Sequence, residues 1–321
     1  MPGWTDDIYL VCNILSDETV ILKLEPVEGN DHTLEHEFFV YKKLNGRTGI
    51  PSVRWFSTES GFNVMALDCL SLSLKDFFVH SGFQFLMKTV LLLAGQLVSK
   101  FDFWGHNWWA NMCCIQLHCL QYIHFHNFIH HDLKPGNIIM GIGNQTNLVY
   151  LIDFGLSKEF QDPSTHKHIP YKKGIGFMGT PTFASINSHL GLELGRWDDL
   201  ESLAYILFYF LWGFLPWQGL RKDKAICESK HAITTHKLFL DLPVEFRTFF
   251  EHCCSLSFNG KPNYDHFYDL FGNLLLQEGS QIDMAFDWDV ILAGGKNRWG
   301  CASMSKAIQH KGDYSPKHHT W

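Results

Sequence analysis

The sequence is short of charge. Asp, Glu, Lys and Arg make up 18 % of its 321 residues, against about 25 % in ordinary soluble domains. A solvated coiled coil is therefore excluded. There is no basic excess either: 26 Lys and Arg against 33 Asp and Glu leave a net charge of −7. Nucleic-acid binding needs a basic footprint, so no nucleic-acid partner is expected. No apolar run reaches the about 20 residues of a membrane span. The longest, Leu203 to Trp217, is interrupted by Gly213 and reads as a buried helix. The opening MPGWTDDIYL has no basic stretch followed by an apolar one, so no signal peptide is expected. The nine Cys are odd in number and form no C-x-x-C unit that would suggest zinc. They read as reduced thiols of an intracellular protein, cytoplasmic or nuclear. No internal repeat is visible.

What is plentiful is aromatic. Aromatics reach 15 %, with 27 Phe and 11 Trp, within an apolar fraction of 46 %. That composition provides a large interior or a sticky surface, and excludes wholesale disorder.

Along the chain, Asp7–Val11, Thr19–Leu24, Val53–Phe56 and Phe62–Leu67 are short β-rich runs separated by turn residues. Leu34 to Leu44 has helical spacing and stops at Asn45-Gly46. From Leu72 onward the pattern is mostly helical, with helices expected over Met87–Leu97, Arg196–Leu215, Val244–Ser255 and Tyr264–Leu275. The fold class is therefore α+β: a small β-rich lobe over 1–68 and a large helical lobe over 72–290. The stretch 291–321 is rich in Gly, Lys, His and Ser and reads as a flexible tail.

The chemistry concentrates in His130-His131-Asp132-Leu133-Lys134-Pro135-Gly136-Asn137. Downstream, Val149–Ile152 reads as a buried strand that delivers Asp153-Phe154-Gly155 to its end. Phosphoryl transfer from ATP uses this set: one carboxylate facing the acceptor hydroxyl, an Asn and a second Asp on Mg2+, and a Lys near the transferred group. The order, spacing and strand context are those of the general protein-kinase pattern, and the assignment of roles rests on that match. Upstream, Val20-Ile21-Leu22-Lys23 is a strand ending in Lys, and Glu37 follows on the expected helix. Such a pair holds the α- and β-phosphates in kinases.

Over roughly residues 3–290 the chain resembles the casein kinase I family of serine/threonine protein kinases. The matching residues include Lys23-Leu24-Glu25, Gly49-Ile50-Pro51, Asn63-Val64-Met65 and Thr89 to Ala94. Ala184-Ser185-Ile186-Asn187 stands where most kinases have Ala-Pro-Glu, and Asp198 to Leu203, Leu215 to Gly219 and Phe286-Asp287-Trp288 continue the match. The resemblance implies a two-lobed kinase fold over 1–290 using ATP and Mg2+. It implies that Asp132 and Lys134 are catalytic and that Asn137 and Asp153 bind metal. It implies that Gly3, Ile8, Lys23, Glu37, Asp68, Leu70 and Ile139 meet the nucleotide, with Asp68 to Leu70 as the hinge and Ile8 and Ile139 sandwiching adenine. Asp199 is implied to brace the catalytic loop. The implied partners are proteins with Ser or Thr near acidic residues, met by a monomer. Membrane-anchoring members of the family end in lipidated Cys, and Cys301 is not at such a terminus, so no anchor is expected.

The chain departs from the family in five places. Of the glycine-rich loop only Gly3 survives, and Asp6 takes the place of the last glycine. A carboxylate repels phosphate and a Cβ blocks close approach. Two readings follow: the protein begins further upstream, or nucleotide binding is weakened. Ile21 replaces the usual Ala beside adenine, and His131 replaces the Arg before the catalytic Asp. Thr182 replaces an Arg that helps bind an anion, which puts a preference for pre-phosphorylated substrates in doubt and leaves Arg221, Lys222 and Lys224 without that partner. Finally, removing Val98 to Gln116 restores the family's length. This insertion reads as a translated intron, since Val98-Ser99 can be encoded as a splice donor and Gln116 as an acceptor, or else as a surface loop.

Three functions compete. An active serine/threonine kinase is favoured by Lys23, Glu37, Asp132, Asn137 and Asp153. A pseudokinase acting as a binding scaffold is favoured by the damaged loop, Ile21 and His131. A small-molecule phosphotransferase shares the Asp and Asn layout, but Lys134-Pro135 and Ser185-Ile186-Asn187 favour a protein substrate. The cluster His124, His126, His130 and His131 falls across a helix end and a loop, and is not expected to bind metal.

Overall fold

The β-rich runs in the first part of the chain build an antiparallel sheet. The computed structural model describes residues 7–14, 17–28, 33–45, 47–98, 119–233, 238–279 and 285–289. Strands β1 (Asp7–Cys12), β2 (Thr19–Pro26), β3 (Val53–Glu59) and β4 (Phe62–Asp68) pair in the order β1-β2-β4-β3. Ile8 lies opposite Lys23, which in turn lies opposite Met65. The two-residue period puts Ile21, Lys23 and Glu25 on one face of β2. Helix α1 (Thr33–Leu44) meets that face and buries Leu34, Val40, Tyr41 and Leu44. Its first turn is capped from the sheet. Glu25 Oε1 accepts the N–H groups of Thr33 and Leu34 at 3.0 and 3.1 Å, and the Thr33 hydroxyl as well. A buried carboxylate at a helix N-terminus satisfies orphan donors and complements the helix dipole.

The rest is mainly helical: α2 (Leu74–His80), α3 (Met87–Val98), α4 (Cys119–Phe125), α5 (Ile186–His189), α6 (Arg196–Trp212), α7 (Asp223–Ala232), α8 (Val244–Ser255) and α9 (Tyr264–Gln277). One expected boundary is corrected. The helix anticipated over Arg196–Leu215 stops at Trp212, because Gly213 takes φ of 84° and caps it in the left-handed conformation. Helices α2 and α7 are not individually legible in the apolar pattern. The first is set by a Ser73/Asp76 capping box rather than by a long apolar stripe.

Helix α6 is apolar nearly all round and is buried from Asp198 to Phe208, so it forms the axis of this part. Helices α3 and α8 pack on it, and α9 packs on α3. The aromatic surplus goes largely inside: Phe210 meets Phe78 and Phe85 with ring centroids at 5.3 and 4.9 Å. Each such side chain, fully buried, stabilises by about 1.5–3 kcal/mol. Two small antiparallel strand pairs complete the fold. Strand β5 (Phe128–Ile129) pairs with β8 (Lys158–Glu159), and β6 (Ile138–Met140) with β7 (Val149–Leu151). Largely buried β5, β6 and β7, with half-buried β8, frame the polar loops 130–137 and 152–157. Among the described residues no helix is long and apolar enough to cross a membrane. Gly3, Asp6, the tail and all of the suspected insertion except Val98 lie outside the described residues.

Candidate active site

The loops after β5 and after β7 each carry a residue in an unfavourable backbone state. His131 and Asp153 both take φ of 68°, the left-handed region, which costs non-glycine residues about 1–3 kcal/mol each. Asp199 on α6 holds the first of them. Only 2 % exposed, its Oδ2 accepts the His130 N–H at 2.8 Å and its Oδ1 the His131 N–H at 3.0 Å. His124 Nε2 also lies 2.8 Å from Oδ2, and the Tyr264 hydroxyl meets the other nitrogen of that ring. Burial pushes the Asp199 carboxyl up, but the His124 hydrogen bond and the neighbouring imidazoles outweigh it, so it stays ionised below the ordinary range. Burial pushes the His131 imidazole down, and its Nδ1 donates to the Leu156 carbonyl at 3.0 Å. His130 joins the brace, its Nε2 meeting the Ile152 carbonyl at 3.0 Å, whereas His126 Nδ1 meets the Tyr122 carbonyl of α4 at 2.9 Å.

The braced loop presents Asp132. The Thr180 hydroxyl donates to its Oδ1 at 2.7 Å, and the Lys134 ammonium pairs with Oδ2. Asn137 Nδ2 donates to the Asp132 carbonyl at 3.0 Å and lies 3.4 Å from a carboxylate oxygen of each of Asp132 and Asp153. Thr180 is itself held in place. Buried Lys230 on α7 donates to the carbonyls of Pro181 and Ala184 at 2.9 and 2.5 Å, and burial lowers its ammonium to about 7. Gly179 lets this segment approach: at φ of 92°, a Cβ here would stand 2.6 Å from the His131 carbonyl oxygen. Gly179→Ala should therefore push Thr180 off Asp132. Displacements of about 1 Å near reacting groups cost roughly 100-fold in rate. A steady-state kcat within a factor of two of wild type would contradict this placement.

The sheet supplies the opposite wall. Lys23 Nζ lies 2.6 Å from Glu37 Oε2 on α1 and 3.6 Å from Asp153 Oδ1. The Asp153 N–H donates to the Tyr41 hydroxyl at 3.1 Å, which ties the second strained residue to α1. Burial works to raise the Asp153 carboxyl, but the Lys23 and Lys134 charges together outweigh it and hold it below the ordinary range. The expected site residues Lys23, Glu37, Asp132, Lys134, Asn137 and Asp153 thus converge.

Ile8 is 48 % exposed and shares the sheet face of Lys23 and Ile21. Ile139 lies on β6, bridged to Ser73. Asp68 ends the interior strand β4: its carboxylate accepts from the Ser52 N–H at 2.9 Å and from Arg54 at 2.5 Å, so the side chain is committed to the start of β3. Leu70 is buried. The carboxylate of Asp153 and the amide oxygen of Asn137 form a hard, oxygen-rich donor pair. Magnesium uses one or two carboxylates together with substrate phosphates, and the pair fits that cation. Among the described residues no group of three or more His, Cys, Asp or Glu could hold a metal by protein ligands alone.

A family model, the protein kinase domain, matches residues 92–268. The chain belongs to that family. Its α+β fold and the braced loop agree with the match, and the family implies kinase activity on proteins, with ATP and typically Mg2+. The matched range contains the Asp132 loop, Asp153 and Asp199. Lys23 and Glu37 fall before it, so their convergence on Asp153 is a finding of geometry. Sequence reasoning gave no role to Thr180, Lys230, Glu25 or His36. None carried a local signal: even Glu25, the cap of α1, lies on β2 eight residues before that helix begins.

Proposed function

We propose that this kinase is of casein kinase I type and transfers the γ-phosphoryl of ATP to Ser or Thr of proteins, near acidic residues. One observation carries the catalytic reading: Lys23, Glu37 and Asp153 form one ionic cluster with Asn137 linking Asp153 to Asp132. The subfamily and the acceptor class rest on the resemblance, chiefly on Ser185-Ile186-Asn187 after the Thr180 segment. The domain is proposed to span 1–290, with the lobes meeting at residues 69–71.

In this reading Asp132 orients the acceptor hydroxyl and takes up its proton. Lys134, already beside that carboxylate, offsets negative charge on the group in transit. Glu37 fixes Lys23 so that its ammonium reaches the α- and β-phosphates. Asp153 and Asn137 would hold Mg2+, which supplies charge neutralisation on the phosphates. Ile8 and Ile139 enclose adenine, and the main chain of Asp68 to Leu70 meets its edge. Positioning and fixed electrostatics supply the rate.

The test is thermal melting with ATP, with and without Mg2+, on the full chain. A ligand that binds only the folded state raises the midpoint with concentration. The expected result is an upward shift that is larger with Mg2+ than with EDTA, together with phosphate incorporation into casein. Absence of any shift would favour the scaffold reading suggested by Asp6, Ile21 and His131.

A further inference from the structure

Helix α1 grips the turn after Asp153 at two points, and only the first, Tyr41, belongs to the cluster described above. The second is His36, next to Glu37, whose Nε2 lies 2.7 Å from the Ser157 carbonyl oxygen. A carbonyl only accepts, so Nε2 carries the proton and donates. Ser157 is not a loose end. Its N–H and its hydroxyl both donate to the Phe154 carbonyl, at 3.0 and 2.6 Å, and close the turn Phe154–Ser157 that directly follows Asp153. Beyond it, Lys158 pairs with Ile129 across β5 and β8 and forms an ion pair with buried Glu193.

Residues 153–158 are therefore one rigid turn, fixed to the helical part on its far side. Helix α1 takes hold of its start through Tyr41, which also packs edge-on against Phe154 with centroids at 5.0 Å. It takes hold of its end through His36. Glu37 lies between these two grips on the same helix. Any shift of α1 that separates Glu37 from Lys23 must stretch the His36 bond as well.

We propose that His36 is a positioning residue, a latch that couples the placement of Glu37 on Lys23 to the turn carrying Asp153. The inference rests on the proposed roles of Lys23, Glu37 and Asp153. It predicts a specific kinetic signature, because the latch touches the nucleotide side of the site and leaves the Thr180 segment alone.

The experiment compares His36→Ala with His36→Gln in the full chain. The Gln amide retains an N–H donor of similar reach. Loss of one such bond should lower kcat roughly tenfold in the Ala variant and raise the KM for ATP, with the KM for protein substrate unchanged. Gln should restore most of the loss. Hydrogen–deuterium exchange, which needs no activity, should rise at residues 34–41 and 153–158 in the Ala variant and remain unchanged in α8 and α9. Unchanged exchange at 153–158, exchange raised throughout, or a Gln variant as impaired as Ala would each overturn the latch. A wild-type chain without phosphate transfer would sink the catalytic reading instead, while the exchange result still decides the coupling.

Discussion

Asp153→Asn is expected to abolish phosphate incorporation into casein, by roughly 1000-fold or more, and to leave the fold intact. The carboxylate is the anionic member of the oxygen pair and sits 3.6 Å from Lys23. An amide of the same shape keeps the backbone bond to Tyr41 but offers no charge to a cation or to Lys23. Loss of one preorganised electrostatic group at a reacting centre typically costs about 100–1000-fold, and here the same group would also hold the metal. Stability should change little. Lys23 retains Glu37 at 2.6 Å, and the Asp153 side chain is 37 % exposed, so solvent already screens the pairing that is lost. The measurement is labelled-phosphate transfer alongside calorimetric melting of both proteins. Transfer at the wild-type rate would remove Asp153 from the mechanism.

Asp199→Ala should act in the opposite proportion, on the fold first. That carboxylate accepts two N–H groups of the loop and the His124 ring, all out of water. Its removal leaves both donors unpaired, and the left-handed backbone of His131 is then tied only through its side chain on the Leu156 carbonyl. Breaking a buried charged network by deleting one partner costs about 3–5 kcal/mol, a fall of roughly 10 °C in the midpoint. Activity should disappear with the loop geometry. Asp199→Asn should recover only part, since its amide turns N–H toward a backbone N–H. Calorimetry decides the point: a midpoint within about 1 °C of wild type would mean that the brace is not what holds the loop.

The strands and the long helices were legible because their apolar periodicity is strong, and their edges shift by only a few residues. The exception, α6, overran to Leu215 in the sequence because Phe214 and Leu215 continue the apolar run, whereas Gly213 ends it by backbone conformation. In the site, Asp132, Asn137 and Asp153 were legible because they sit in short fixed patterns. Their supports were not. Thr180, Lys230 and His36 act through carbonyls and carboxylates far away in the chain, and a hydrogen bond to a backbone carbonyl leaves no trace in local sequence. The adenine contacts of Ile8 and Ile139 were assigned by resemblance, and side-chain burial alone does not distinguish them from other apolar residues.

The brace on the loop has a temporal consequence. A ribosome delivers the chain from its N-terminus, and the sheet with α1 is complete once Asp68 has emerged. The loop residue His130 must wait for Asp199, 69 residues later, and His124 for Tyr264, 140 residues later. Contacts so distant along the polymer form late. A nascent chain halted before Asp199 would carry all the reactive side chains and still lack the carboxylate that holds their loop, so the brace is among the last parts of the site to be supplied.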